Sequence, residues 1–265
     1  MTLPTDFLER LAAIAAEAGR IIMRHYADGV DVRHKDDRSP VTAADEEAET
    51  QILAALARNF PDIPVISEEA SANGIQPEVG AAFFLVDPLD GTREFISKNG
   101  EFTVNIALIR AGAPVAGVVY APALSALYGG SEMAGSWLLN HHPQSASLAM
   151  HDARRITARP VPATGLIAVA SRSHRDAATD QWLAGHDIAD FRAAGSSLKF
   201  CLLAEGKADV YPRLGRTMEW DTAAGHAVLA AAGGTVETLT GVPLTYGKRA
   251  DAYANPHFVA WGMRG

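Results

Sequence analysis

Two aspartates three residues apart close the apolar run FFLV in FFLVDPLDGTREF, residues 83–95, and Gly91 and Thr92 follow at once. Carboxylates held that close repel one another unless a cation lies between them. Mg²⁺ suits such a place, being a hard ion that takes oxygen ligands and keeps positions open for water and phosphate. Two more acidic side chains stand at other turns: Glu68 after the short piece VIS, and Asp221 in MEWDTAAGHAVL. With Asp87 and Asp90 they supply enough oxygens for two or three ions. The competing reading is a solvated acidic turn, with Asp221 only capping its helix.

The elements that must position these groups can be read in outline. FFLV suits a strand buried on both faces. Pro88 pushes Asp87 towards an extended conformation, so Asp87 is expected as the strand's last residue. Gly91 permits a tight turn, and TREFI starts a short helix. N–H groups from Gly91 and Thr92 would then favour an anion beyond the strand's carboxyl end. Upstream, Phe7, Leu8, Leu11, Ile14, Ala18, Ile21 and Ile22 recur at helical spacing. A second helix is expected from Thr42, with Asp45 in the capping-box position and Ile52, Leu53, Leu56 and Phe60 inward.

From residue 82 the pattern changes to strands: AFFLV, TVNIALI, PVAGVVY and ALYGG. The stretch 131–160 is the least patterned and is expected to be a loop-rich join. It divides an N-terminal α+β domain, 1–135, bearing the acidic motifs, from a C-terminal α/β domain, 136–265, bearing Asp221. In the second half LIAVAS, ADVYPRL and TVETL read as strands, SSLKFCLLAEG and DTAAGHAVLAAAGG as helices. That alternation implies a layered α/β architecture.

Composition narrows the function. A net charge of −8 over 265 residues, with no compensating basic face, excludes a general nucleic-acid binder. No apolar run approaches the roughly 20 residues of a membrane span. Asp6, Glu9 and Glu17 interrupt the N-terminal apolar residues, so an amphipathic helix is expected there rather than a signal peptide. Cys201 is the single cysteine, which leaves no intrachain disulfide and no Cys-rich zinc site. A cytoplasmic address fits, free or peripheral at the inner membrane surface.

Other phosphate chemistries fit less well. A haloacid dehalogenase-type nucleophile motif is Asp-x-Asp-Gly-Thr, one residue shorter than this chain's Asp-x-x-Asp-Gly-Thr. Cys201 lacks the arginine of a Cys-x5-Arg phosphatase, Lys207 standing in that place. GVPLTYGKR has five residues between its glycines and no Ser or Thr after Lys248, so it is not a P-loop. None of the nine histidines forms an HExxH pair.

VDPLDGTREF at 86–95 resembles the DPxDGTxxF signature of the inositol monophosphatase superfamily of Mg²⁺-dependent phosphatases. The partner signatures follow in that family's order, SEE at 67–69 and WDTAAGHAVLAAAGG at 220–234. REFISKNGEFTVNIALI and GSSLKFCLLAEGKADVYPRL are similar to the CysQ branch, the 3'(2'),5'-bisphosphate nucleotidases. The likeness covers most of residues 40–235. It implies the αβαβα sandwich shared by inositol monophosphatases and fructose-1,6-bisphosphatases.

For the site, the resemblance implies metal ligation by Glu68, Asp87, Asp90, Asp221 and the backbone carbonyl of Leu89. Glu68 would also orient the attacking water, Thr92 would hydrogen-bond it, and Asp45 would accept the Thr92 proton. Gly91, Thr92 and Asp221 would touch the substrate as well, and His174, Ser196, Lys199 and Arg213 would hold the nucleotide. Glu219 either faces the sugar or serves the fold. The implied reaction converts adenosine 3',5'-bisphosphate (PAP) to AMP and phosphate, and the 5'-phosphosulfate analogue PAPS to APS, in sulfur assimilation and nucleotide recycling. Inositol monophosphate or fructose 1,6-bisphosphate as substrate stays open within the superfamily, as does a non-catalytic phosphate or metal sensor outside it. Li⁺ is implied as an inhibitor. A monomer or a homodimer is compatible with all of this.

Overall fold

In the computed structural model, which describes residues 4–28, 32–34, 40–171 and 177–264, the apolar stripe from Phe7 becomes helix α1 (Phe7–Asp28). A small ribbon, β1 (Val32–His34) with β2 (Pro40–Thr42), leads into α2 (Ala43–Asn59). The expected capping box is present: the Thr42 side chain accepts from the Ala44 N–H, and the Asp45 carboxylate accepts back from the Thr42 N–H.

The chain continues through β3 (Val65–Ser67), the single-turn helix α3 (Glu68–Ala72), β4 (Ala82–Asp90) and α4 (Thr92–Ile96). Then come β5 (Thr103–Arg110), β6 (Ala113–Ala121), β7 (Ala126–Ser131), β8 (Gly135–Asn140) and β9 (Arg154–Ile156). Strands β3 to β9 lie side by side in chain order as one seven-stranded sheet. Only β3 and β4 pair in parallel; their neighbours are antiparallel.

The second sheet has five strands in the order β11-β10-β12-β14-β13. They are β10 (Leu166–Ser171), β11 (Ile188–Ala194), β12 (Val210–Arg213), β13 (Thr235–Thr238) and β14 (Phe258–Trp261). Helices α5 (Ala177–Ala184), α6 (Leu198–Ala204) and α7 (Glu219–Ala231) are interspersed.

Alternation along β4 explains why FFLV is apolar throughout. Phe84 and Val86 pack among the inward residues of α1 and α2. Phe83 and Leu85 face the other way, onto a core shared with Phe200 of α6, Val228 of α7 and Tyr211 and Phe258 of the second sheet. A third cluster joins the outer face of that sheet, Val210 and Trp261 included, to Leu183 of α5. The layers therefore run α1 and α2, large sheet, α6 and α7, small sheet, α5: the expected αβαβα sandwich. Glycines let α7 approach the large sheet closely. A Cβ on Gly130 would stand 2.7 Å from the Val228 Cα, and one on Gly117 would stand 3.0 Å from the Ala224 Cα.

Two local expectations change. Asp87 is not the last residue of its strand: Asp87 pairs with Asn105 and Asp90 with Thr103, leaving Pro88 and Leu89 opposite Val104. That is a β-bulge, which suits Pro88 because proline has no N–H for the ladder. Residues 131–160 are also more ordered than a loop-rich join, since β8 and β9 extend the large sheet past the 135/136 division. Trp137 and Leu139 there join the core against α1 and α2.

Candidate metal centre

Parallel pairing of β3 and β4 places Ser67 opposite Val86, so the residues that follow, Glu68 at the start of α3 and Asp87 still within β4, stand level with one another. Asp221 arrives from the first turn of α7. Carboxylate oxygens of Glu68, Asp87 and Asp221 lie within 4.8 Å of one another. Asp87 is 1% exposed, and its Oδ1 accepts the Leu89 N–H at 3.0 Å. Asp221 Oδ2 caps α7 by accepting the Met218 N–H at 2.8 Å, and the residue also belongs to the acidic trio.

Asp90 lines the same cleft. Burial pushes its carboxyl up to about 6; Lys199 and the Asn105 amide oppose that rise, while Glu94 and Glu68 add to it. Burial also holds the Asp221 carboxyl well above the usual range, with the negative charges of Asp90 and Glu68 reinforcing it. The donor set is thus all oxygen, largely withdrawn from water and mutually repulsive. A hard divalent cation fits those donors.

The bulge and the turn after it place the remaining polar groups. Thr92 Oγ1 lies 3.3 Å from Asp45 Oδ1 and 3.3 Å from the Leu89 carbonyl, the two acceptors within reach of its single hydrogen. Asp45 Oδ2 is tied to the Thr42 N–H at 2.8 Å and the Thr42 hydroxyl at 2.6 Å, which stops the carboxylate turning. Gly91 adopts φ 90°, and a Cβ there would meet Ser196 Oγ at 2.2 Å. Only glycine satisfies both requirements.

Two cationic side chains, Lys199 and Arg213, line the same cleft. Lys199 is 5% exposed and its Nζ donates to the Ser196 carbonyl at 2.6 Å. Burial lowers its amine to about 8, with Asp90 opposing and Arg213 assisting. Arg213 donates through Nη2 to the Arg216 carbonyl at 3.0 Å, and its buried Nε has no hydrogen-bond partner among the described residues. The Ser196 hydroxyl lies 2.8 Å from the carbonyls of both Asp90 and Glu101, so its hydrogen is committed to backbone. That residue ties the acidic turn to α6. His174 lies outside the described residues.

Together these groups enclose a cleft of about 450 Å³, lined by Glu68, Asp87, Asp90, Thr92, Lys199, Arg213 and Asp221 among others. Glu219 is not turned towards it. Its carboxylate accepts the N–H groups of Gly247 and Lys248 at 2.7 and 2.8 Å and pairs with the Lys248 amine at 2.7 Å, a role in the fold. Cys201 is fully buried core. The sequence reading passed over Asn105, whose Nδ2 donates to Asp90 Oδ2 at 3.3 Å. An amide in the middle of the apolar strand TVNIALI was the available signal, because a buried polar group needs a partner.

Residues 4–261 match the sequence profile of the Inositol monophosphatase family. A protein of Escherichia coli O157:H7 named 3'(2'),5'-bisphosphate nucleotidase CysQ is 46% identical over 253 residues, 95% of this chain and 98% of that one. Its namesake in Salmonella typhimurium is 45% identical, again over 95% and 98%. The crystal structure of CysQ from Bacteroides thetaiotaomicron, described as a bacterial member of the inositol monophosphatase family, is 38% identical, with a TM-score of 0.80 covering 97% of both chains. The Thermotoga maritima IMPase, 23% identical, shares the fold with a TM-score of 0.78 over 97% of this chain and 92% of that one. Profile, identity and architecture agree that this chain belongs to the inositol monophosphatase family.

Proposed function

We propose that the chain is a Mg²⁺-dependent 3'(2'),5'-bisphosphate nucleotidase that converts PAP to AMP and phosphate, and PAPS to APS. One observation carries the reading: Glu68, Asp87 and Asp221, from three separate elements, bring their oxygens within 4.8 Å, in a cleft that Lys199 and Arg213 also line. A substrate with two phosphates needs both halves, one acidic and cation-loaded, one basic. The 46% identity to a named bisphosphate nucleotidase over 95% of the chain supports the choice of substrate.

Glu68, Asp87, Asp90, Asp221 and the Leu89 carbonyl would hold two or three Mg²⁺ ions. When bound, such ions would neutralise phosphoryl charge and lower the pKa of a bound water. The chain's own groups do the rest. Glu68 orients the attacking water. Thr92 accepts a hydrogen bond from that water, because its own hydrogen is directed to Asp45 Oδ1 and the Leu89 carbonyl. Asp45 is pinned by Thr42 and therefore keeps the Thr92 lone pairs aimed at the cleft.

Gly91 and Thr92 offer backbone N–H groups to the phosphate under attack. Lys199 and Arg213 hold the phosphate that is kept, through charge-assisted hydrogen bonds; His174 would join them. Residues 1–135 thus supply most of the cation site and the water-orienting pair, while 136–265 supply Asp221 and the nucleotide side. Li⁺ inhibits by taking one cation position. The enzyme works in the cytoplasm as a monomer or homodimer.

The test is phosphate release from PAP, PAPS, inositol 1-phosphate and fructose 1,6-bisphosphate, each with Mg²⁺ and with EDTA. PAP is expected to have the highest kcat/KM, with no release in EDTA. Preference for inositol 1-phosphate would overturn the substrate assignment, and turnover in EDTA would overturn the metal assignment.

A further inference from the structure

Helix α2 sends a second carboxylate towards the site. Glu49 stands one helical turn beyond Asp45, so the two share a face of α2. Asp45 holds Thr92. Glu49 Oε1 accepts the backbone N–H of Glu69 at 3.0 Å and that of Ala70 at 3.3 Å. These are first-turn donors of α3, which have no acceptor inside a helix. Ser67, the residue placed to cap α3, does not do so: its hydroxyl is buried without a hydrogen-bond partner among the described residues. A side chain from another helix takes over, and it is 8% exposed, shielded from competition by water. The turn it grips begins with Glu68.

We propose that Glu49 is a positioning residue for the cation site. It fixes the α3 turn so that the Glu68 carboxylate stays within reach of Asp87 and Asp221. One face of α2 is then the common support for both water-orienting groups, Thr92 through Asp45 and Glu68 through Glu49. The inference rests on the proposed reading of Glu68 as a metal ligand. A five-residue helix has little hold of its own on the direction of its first side chain. Partners one step removed from a metal set ligand geometry, and their loss typically weakens metal binding by about 10–100-fold.

The experiment is calorimetric titration of Mg²⁺ into the nucleotide-free protein, with thermal unfolding and the Mg²⁺ dependence of turnover measured alongside. Glu49→Leu keeps the bulk and removes the acceptor. It is expected to weaken Mg²⁺ binding by about tenfold or more, to raise the Mg²⁺ half-saturation equally, and to leave KM for nucleotide at saturating Mg²⁺ near wild type. Glu49→Gln retains an oxygen that accepts both N–H groups and is expected to restore binding. Leu56→Ala, a core truncation on the same helix, should lower the melting temperature while Mg²⁺ affinity holds. If Glu49→Leu does not fold, Glu49→Asp, which draws the oxygen back by one methylene, is expected to weaken binding in the same direction. Wild-type affinity in whichever of these two folds overturns the inference. So does a Glu49→Gln as weak as Glu49→Leu, or a Leu56→Ala that weakens Mg²⁺ binding equally. Glu68→Gln binding Mg²⁺ as tightly as wild type would instead overturn the reading of Glu68. A weakened Glu68→Gln beside an unaffected Glu49→Leu would overturn this inference alone.

Discussion

Replacing Asp90 by asparagine should separate stability from activity, and the acidic cluster fixes the size of the effect. Asp90's carboxyl is raised from 3.8 to about 6, burial being the main cause. A carboxyl that titrates higher in the fold than in the unfolded chain is destabilising when ionised. The penalty is fully present above the folded value and vanishes as pH falls through about 6 towards the ordinary value near 4. Without metal, this costs at most about 3 kcal/mol at pH 7; screening by water in an open cleft leaves about 1–2 kcal/mol. The amide of Asp90→Asn carries no charge, and removing the carboxylate also relieves Asp221, against which Asp90 is the largest electrostatic repulsion. In EDTA at pH 7, Asp90→Asn should therefore melt higher than wild type by roughly 3–6 °C. The gain should shrink at pH 5, where the wild-type carboxyl is protonated. Mg²⁺ should raise the wild-type melting temperature and raise that of the variant much less, while turnover of PAP falls by at least about 100-fold, since losing a ligand should cost no less than losing a ligand's support. An unchanged melting temperature in EDTA together with near-normal turnover would refute both the electrostatics and the ligand assignment.

Other substitutions probe the remaining groups. Thr92→Val removes the hydroxyl that orients water at constant shape, and kcat should fall by about 10²-fold or more with little change in KM, read from steady-state kinetics. Lys199→Met should raise KM for PAP by about 10–100-fold, the worth of a charged hydrogen bond, and affect adenosine 3'-monophosphate far less. Because the amine is lowered to about 8, it loses its charge as pH rises through that value, so wild-type KM should climb above pH 8 and the Lys199→Met value should not. Gly91→Ala places a methyl 2.2 Å from Ser196 Oγ at φ 90°, and should cost at least about 1–2 kcal/mol in denaturant unfolding. Adding Ser196→Ala should recover part of that loss, because it removes the obstructing oxygen while the backbone strain remains.

Local features were legible because short-range physics decides them. The period of α1, the cap at Thr42, the turn at Gly91 and the run FFLV each report their own surroundings within a few residues. Features that depend on a distant neighbour were not. β11, IADFRAA, is exposed along most of its length and carries no apolar pattern, yet it is a strand because β10 supplies a parallel partner. β14 is four residues after an Asn-Pro pair and owes its place to β12 and β13 on either side. The strand end expected at Asp87 proved to be a bulge: proline does interrupt the hydrogen-bonded run, but Thr103 across the sheet picks the strand up again at Asp90.

In the site the same division separates a group's identity from its aim. The carboxylates could be named from the chain because each stands beside a local break in its own element, the start of a helix, the bulge or the end of a strand. What turns them towards one another is non-local. Ser196 reaches the Asp90 carbonyl from 106 residues away, and Glu49 reaches the turn after Glu68 from 20 residues away. Ser196 shows the consequence: it lines the cleft, as its place in GSSLKF suggested, while the direction of its hydroxyl hydrogen is set by the distant carbonyls of Asp90 and Glu101. A cluster of like charges cannot hold itself together, so its geometry must come from neutral and oppositely directed contacts around it. Those contacts, Asn105 on Asp90, Leu89 on Asp87, Met218 on Asp221 and Glu49 on α3, tie the acidic turns to backbone and amide donors. The proposed cation site is therefore held in shape by the fold around it, and loosening a single support should show first in metal affinity.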